Sequence, residues 1–220
     1  MKVDYISDTF KGVNYKENKD SCVILKHKDD FLFFLFDGVS SAKNAKIGVD
    51  NSIDYIKNNY KNYYLNNNFQ LKKLMFDVNK QLAQDKRSEL YTTYVALHIG
   101  ANSKNSKFSS LGDSRLYGIS NQYLNQYSKD DKGAISHTIT KCLGMKDLNE
   151  NDFNEIIIQK LENKFLLCSD GFYSFLEKDK LDFFKIFNFS YLANIKKRIK
   201  NELYAKNSDD ATYILIKIYV

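Results

Sequence analysis

The sequence predicts an α+β fold in which mainly antiparallel sheets are covered on their outer faces by helices. Strand-type and helix-type patterns alternate along the chain in blocks, not one by one, which favours antiparallel sheets over repeated β-α-β units. Two apolar runs, FLFFLF at 31–36 and KFLLC at 164–168, are typical of strands that are buried on both faces. The sequence has no proline to mark a linker, so we expect one domain over residues 1–220.

The first block contains three predicted strands, over 2–8, 21–27 and 31–36. The triplet Lys28–Asp30 lies between the second and third strands and has the composition of a hairpin turn. After Gly38 the apolar residues change to helical spacing, which predicts two helices. Their apolar positions are Ile47, Val49, Ile53 and Ile56 in the first and Leu71, Leu74, Met75, Val78 and Leu82 in the second.

The second block returns to strand patterns and predicts a meander. Its strands are TTYVALHIG at 92–100, KFSSLG at 107–112 and RLYGIS at 115–120, followed after a loop by FNEIIIQKL at 153–161 and NKFLLCSDG at 163–171. Helices are predicted over 178–186 and 190–205, and a last strand over 211–220.

The charge and apolar patterns argue against nucleic-acid and membrane partners. The net charge is +6, but the lysines are scattered, and the densest cluster, IKKRIK at 195–200, fits the solvated face of a helix. No apolar stretch reaches the roughly 18 residues that a membrane span needs, so we expect a cytoplasmic protein. Cys22, Cys142 and Cys168 are far apart and odd in number, which predicts reduced thiols instead of disulfides or a zinc site.

Aspartates lie at the ends of several predicted strands. Asp37 and Asp170, each followed by glycine, end the two most apolar runs, and Asp113 follows a strand in SLGDSR. Asp20 precedes the second strand, and Asp209 precedes the last one. Strand ends of packed sheets can meet at one rim, where the carboxylates would repel each other unless a cation lies among them. Oxygen ligands without His or Cys favour Mg²⁺ or Mn²⁺ over zinc or copper.

One Asp-Gly pair alone is weak evidence, because it is also common in hairpin turns. Here the acidic motifs occur in an order that resembles the metal-dependent protein phosphatases of type 2C. The matching segments are NKDS at 18–21, FDGVS at 36–40, TTYVAL at 92–97, SLGDSRLY at 110–117, ITKCLG at 139–144, FLLCSDGFYSFL at 165–176 and SDDATYILI at 208–216. The resemblance covers nearly the whole chain, and it implies a four-layer α/β/β/α sandwich of two mainly antiparallel sheets flanked by helices.

The resemblance also implies a chemistry and a set of ligands. A water activated by Mn²⁺ or Mg²⁺ would hydrolyse phosphate monoesters on serine or threonine, with Asp37 and Asp170 as catalytic residues. Asp37 would bridge two ions with the Gly38 carbonyl as a further ligand. Asp170 and Asp209 would hold one ion, Asp20 would act near the second, and Asp113 corresponds to the acid that helps to bind a third ion in many members.

The sequence departs from the family pattern at three positions near these acids. Tyr15 stands where the family has a phosphate-binding arginine, and Lys19 stands where it has glutamate. Lys16 and Lys19 are therefore the candidate phosphate-binding residues, although an ammonium lacks the planar fork of a guanidinium. Val39 replaces the histidine that is proposed as general acid in animal members.

Two functions remain open at this point. The first is an active metal-dependent phosphatase whose partners are phosphorylated proteins, with a cognate Ser/Thr kinase or its targets as candidates. The second is a catalytically weak or inactive phosphatase-like domain that binds a phosphoprotein or another partner, an alternative motivated by Tyr15 and Lys19. Hydrolysis of a small aryl phosphate discriminates between them.

Overall fold

A computed structural model of the chain describes residues 1–101, 106–120, 123–133, 138–204 and 206–219. The strands in these ranges are β1 (Lys2–Phe10), β2 (Ser21–His27), β3 (Asp30–Gly38), β4 (Tyr64–Leu65), β5 (Asn68–Phe69), β6 (Thr92–Ile99), β7 (Lys107–Leu111), β8 (Arg115–Ile119), β9 (Leu124–Gln126), β10 (Ile156–Ile157), β11 (Lys164–Cys168) and β12 (Ala211–Tyr219). The helices are α1 (Ala45–Asn59), α2 (Leu71–Gln84), α3 (Asp170–Lys178), α4 (Lys180–Phe187) and α5 (Leu192–Leu203). Within the described ranges, every helix is too short or too polar to cross a membrane.

Ten of these strands form two five-stranded sheets. The strand order is β1-β12-β11-β8-β9 in the first sheet and β10-β7-β6-β3-β2 in the second, while β4 and β5 form a separate hairpin. The neighbouring strands of both sheets pair in the antiparallel direction. The prediction of mainly antiparallel sheets is confirmed.

The two sheets pack face to face, and helices cover both outer faces. Helices α1 and α2 pack on the second sheet, and α3, α4 and α5 pack on the first. A third apolar cluster lies between the sheets and includes Phe33, Leu35, Val95, Leu167 and Ile214. The result is the four-layer α/β/β/α sandwich that the family resemblance implied.

Strand β3 shows why this architecture needs uninterrupted apolar runs. Successive side chains of a strand point to opposite faces. Phe33 and Leu35 therefore enter the layer between the sheets, and Leu32, Phe34 and Phe36 enter the layer under α1 and α2. All five side chains are at most 1% exposed. A strand buried on both faces cannot alternate apolar and polar residues, which accounts for the sequence FLFFLF.

The C-terminal helices differ from the prediction. The helices expected over 178–186 and 190–205 are α4 and α5, with slightly different ends, and the earlier helix α3 was not predicted. The strand expected through Asp170 stops at Cys168, because Asp170 is already in the first turn of α3. A carboxylate is favourable there, where the unpaired N–H groups of a helix carry partial positive charge. The apolar spacing of Phe172, Tyr173 and Leu176 was the signal for this helix.

Truncation of Phe33 tests the core between the sheets. We expect Phe33→Ala to lower the free energy of unfolding by about 3–5 kcal/mol, because a fully buried aromatic ring is lost and a cavity remains. Urea unfolding measures this change. The control is Phe189→Ala, since Phe189 is 38% exposed and its truncation should cost less than about 1 kcal/mol. Equal losses for the two variants would contradict the assignment of Phe33 to the core.

Candidate active site

Two of the predicted site residues lie at one edge of the second sheet. Asp37 is the penultimate residue of β3, and Asp20 directly precedes β2. The two strands are antiparallel with Ser21 opposite Phe36, so the register places Asp20 opposite Asp37. The Thr92 hydroxyl donates a hydrogen bond of 2.8 Å to the Asp37 carbonyl and fixes the end of β3 against β6.

The other three acids lie at one edge of the first sheet. Asp170 follows β11, Asp209 precedes β12, and Asp113 precedes β8. Strands β12 and β8 are the two neighbours of β11, and Cys168 pairs with residues of both strands. The topology therefore brings these three side chains to the same rim.

A tight turn and a pair of hydroxyl groups hold Asp113 near the second sheet. Gly112 has φ of +95°, and a Cβ at this position would lie 2.5 Å from the Thr93 Cβ, so only glycine fits the turn. Next to Asp113, the Ser114 hydroxyl forms a hydrogen bond of 2.7 Å with the Thr93 hydroxyl. This contact joins β6 of one sheet to the start of β8 in the other.

The charges of the five aspartates affect one another. Burial raises the pKa of Asp37 well above its usual value, and the negative charges of Asp20, Asp170, Asp113 and Asp209 raise it further. Burial, followed by the charges of Asp113 and Asp209, raises the pKa of Asp170 to about 6. The structure thus brings the five predicted carboxylates near one another, and burial and mutual repulsion make the ionised forms of Asp37 and Asp170 unfavourable without a cation.

The buried oxygen atoms of this cluster fit the chemistry of a divalent cation. Asp20 is 3% exposed, and no described group donates a hydrogen bond to either of its carboxylate oxygens. The Ser169 and Thr212 hydroxyls are near enough to favour its ionised form, but burial outweighs them and raises the pKa to about 7. Asp113 is also buried, but its Oδ2 already pairs with an ammonium, that of Lys132, at 2.7 Å. Buried carboxylate oxygens without donors are the kind of group that a hard metal ion satisfies.

The cluster does not form a closed set of ligands as it stands. Among the described residues, no three His, Cys, Asp or Glu side chains are placed so that they could hold a metal ion directly. An ion shared by several of these carboxylates therefore requires their side chains to move toward it.

Asp209 and its neighbour Asp210 have different environments. Both oxygens of Asp210 accept backbone N–H groups, from Gly12 and from Lys19, each at 2.7 Å. Oδ1 of Asp209 accepts the Asp210 amide at 2.8 Å, and burial raises the pKa of Asp209 although this bond and the Tyr15 hydroxyl favour its ionised form. Asp209, with burial and Asp210, in turn raises the pKa of Tyr15. Tyr15, which replaces the arginine of the family pattern, thus lies at the site and contacts one of the predicted metal ligands.

The two predicted phosphate-binding lysines lie on the same N-terminal segment. The Lys19 ammonium donates to the Ser40 carbonyl at 2.8 Å, and Lys16 is exposed. Among the described residues, no ion pair joins either lysine to a carboxylate of the cluster. Their role in binding phosphate stays a prediction.

A different lysine, which no sequence motif indicated, does reach the cluster. The Lys132 ammonium lies 2.7 Å from Oδ2 of Asp113 and 3.1 Å from the Tyr173 hydroxyl. Lys132 belongs to no motif with defined spacing, and only the path of its loop brings it to Asp113.

A separate cavity of about 220 Å³ lies at the other end of β2 and β3. Its walls are formed by His27, Lys28, Asp29, Asp30, Tyr64, Asn67, Gly100 and Ala101. None of the five clustered aspartates lines this cavity, so it is separate from the carboxylate cluster.

A family profile described as Protein phosphatase 2C matches residues 13–205, which is most of the chain. The chain belongs to the protein phosphatase 2C family. As a member, this phosphatase is metal-dependent and acts on phosphorylated serine or threonine in proteins. No curated protein sequence matches it at a significant level.

Solved structures of bacterial proteins share the fold of this phosphatase. The serine/threonine phosphatase Stp1 from Staphylococcus aureus has a TM-score of 0.83 at 20% identity, with 100% of this chain and 96% of that chain covered. The S. agalactiae serine/threonine phosphatase has a TM-score of 0.80 at 16% identity, with coverages of 99% and 100%. RsbX, solved in complex with magnesium, has a TM-score of 0.72 at 14% identity, with coverages of 99% and 96%.

Asp20 should make the stability of the metal-free protein depend on pH. Its pKa is raised from the usual 3.8 to about 7, so the folded state binds more protons than the unfolded state between these values. Its contribution to stability is complete below about pH 4 and is lost as the pH rises toward about 7. In EDTA, the free energy of unfolding of the wild type minus that of Asp20→Asn should therefore fall over this range in urea titrations.

The control for this experiment is Asp85→Asn. Hydrogen bonds from Arg87 lower the pKa of Asp85 to about 2, so its contribution is lost only as the pH falls toward that value. The difference between wild type and Asp85→Asn should stay constant from about pH 5 to about pH 7. A constant difference for Asp20→Asn as well would contradict the inferred burial of its charge.

Proposed function

We propose that the clustered aspartates hold two Mn²⁺ or Mg²⁺ ions and that Asp37 and Asp170 are essential for hydrolysis. The observation that carries this proposal is the buried carboxylate of Asp20, whose oxygens lack hydrogen-bond donors in the described structure, next to Asp37, on which the charges of Asp20, Asp170, Asp113 and Asp209 all act. Asp37 and the Gly38 carbonyl would serve as ligands for the ions. Asp170 and Asp209 would hold one ion, and Asp20 would act at the second.

When bound, the ions supply an activated water and positive charge for the phosphoryl oxygens. The chain itself fixes the directions from which the ligands approach. Asp37 and Asp20 come from paired strands of one sheet, and Asp170 and Asp209 come from the opposite sheet. The phosphate therefore binds at the rim where the two sheets meet.

Residues 15–19 form the side of the site that receives the phosphate. Lys16 and Lys19 bring positive charge to this segment, and hydrogen bonds from the Gly12 and Lys19 amides to Asp210 hold the backbone before and after Tyr15. Tyr15 donates its hydroxyl to Asp209 and orients that carboxylate. The phosphate is held less firmly than an arginine at position 15 would hold it, because a guanidinium offers two parallel N–H donors.

The physiological substrates are proposed to be phosphorylated cytoplasmic proteins, including a cognate Ser/Thr kinase or its targets. Support comes from the family and from a surface whose basic residues are scattered, without a strip for nucleic acid. The alternative, a domain that only binds phosphoproteins, differs in one measurable respect, because it releases no phosphate.

Substitution of the two catalytic aspartates tests the proposed function. The purified protein with Mn²⁺ should release phosphate from an aryl phosphate and from a phosphoserine peptide. Asp37→Asn and Asp170→Asn should each lower kcat/KM by at least about 100-fold, because loss of a metal ion's charge stabilisation costs several kcal/mol in the transition state.

The matched control is Asp182→Asn, which removes an exposed carboxylate of α4 that pairs with Lys185 at 2.6 Å. This variant should keep the wild-type rate. Hydrolysis that persists in both Asp37→Asn and Asp170→Asn would place the chemistry elsewhere on the protein.

Replacement of Tyr15 tests its effect on phosphate binding. We expect Tyr15→Arg to lower KM for a phosphoserine peptide by about tenfold, since one charge-assisted hydrogen bond to phosphate is gained. Tyr15→Phe removes only the hydroxyl at Asp209, and it should weaken Mn²⁺ binding without lowering KM. An unchanged KM in Tyr15→Arg would show that position 15 does not face the phosphate.

A further inference from the structure

We propose that the Lys132 ammonium takes the place of a third metal cation at this site. This chain therefore works with two divalent ions and does not bind a third ion at Asp113. The inference rests on the proposed metal site and concerns a residue outside its motifs. Its starting point is the ion pair of 2.7 Å between Lys132 and Asp113.

Asp113 needs a positive partner, and Lys132 provides it. The Asp113 side chain is 3% exposed, so its charge is poorly solvated. Among the described residues, its one ion pair is with Lys132, at Oδ2, and its Oδ1 has no hydrogen-bond donor. A divalent ion at this carboxylate would have to compete with an ammonium that is already in contact.

The loop that carries Lys132 is fastened to the turn that carries Asp113. The Asp131 amide donates to the Gly112 carbonyl at 2.8 Å, and the Gly112 amide donates to Oδ2 of Asp131 at 3.0 Å. These two hydrogen bonds join the residues that directly precede the two partners of the ion pair. The backbone therefore sets the distance between Lys132 and Asp113 before any ion binds.

The Lys132 side chain is also held at its far end. Its ammonium donates to the Tyr173 hydroxyl at 3.1 Å, and the Arg115 guanidinium stacks on the Tyr173 ring at 3.7 Å. Arg115 is fixed in turn by Asp130, to which its Nη2 donates at 2.7 Å. Lys132 is thus placed by its neighbours on both sides, unlike an exposed lysine that explores many rotamers.

The number of negative charges in the cluster is consistent with two divalent ions and one ammonium. Two divalent ions carry four positive charges against the five clustered aspartates, and the ammonium adds a fifth at Asp113, while the neighbouring Asp210 accepts two backbone N–H groups instead. The ammonium thus lies beside the metal ligands, in contact with Asp113 at 2.7 Å and with the Tyr173 hydroxyl at 3.1 Å.

Counting bound Mn²⁺ ions tests the inference without measuring activity. Isothermal titration calorimetry and the electron paramagnetic resonance of free Mn²⁺ give the number of ions bound by the full chain. We expect two bound ions for the wild type and three for Lys132→Ala. The dissociation constant of the third ion should be at least about tenfold lower in Lys132→Ala than in the wild type. The control Lys129→Ala removes an exposed lysine of the same loop and should still bind two.

Asp113→Asn provides a second measurement that does not depend on how Lys132→Ala folds. Under the proposal, this substitution leaves the wild-type count at two, whereas a third ion at Asp113 would be lost. Lys132→Ala with Asp113→Asn should likewise bind two. Three ions in the wild type, or two in a folded Lys132→Ala, would overturn the inference. A wild type that binds no ions would instead overturn the proposed function.

Discussion

The crowding of ionisable carboxylates at the rim between two sheets is the constraint on which the site depends. Five aspartates come from strand ends of both sheets, and burial and mutual repulsion raise the pKa values of Asp20, Asp37 and Asp170. The apolar layer between the sheets makes this arrangement unavoidable, because it fixes where the strand ends lie. Without a cation, the ionised forms of these three carboxylates are unfavourable.

Much of the fold could be predicted, because burial leaves a direct pattern in the sequence. Strand β3 is apolar on both faces because it packs between a sheet and a helical layer. The continuous apolar run FLFFLF is the result of this burial. Short strands produce only a weak apolar pattern in the sequence. The hairpin of β4 and β5 has two residues in each strand, and only Ile156 and Ile157 of the strand expected over 153–161 pair with β7. Helix α3 was missed because the apolar run before Asp170 continued the strand pattern to its first residue.

Only those residues of the site that belong to recognisable sequence motifs could be predicted. The aspartates stand at strand ends, and a sheet edge brings strand ends together. The contact of Lys132 with Asp113 does not follow from the position of a residue at a strand end. It depends on the hydrogen bonds between Asp131 and Gly112, which join two segments through the conformation of a loop and not through periodicity. The contact of Tyr15 with Asp209 spans nearly the whole chain and arises from tertiary packing alone.

The hydrogen bonds of Asp210 have a consequence for how the protein is made. This carboxylate, which directly precedes β12, holds the amides of Gly12 and Lys19, and β12 pairs with β1 along its full length. During synthesis on the ribosome, the segment that bears Tyr15 emerges early but cannot reach its native contacts until residue 210 has left the exit tunnel. The mouth of the site can therefore assemble only after the chain has been made as far as Asp210.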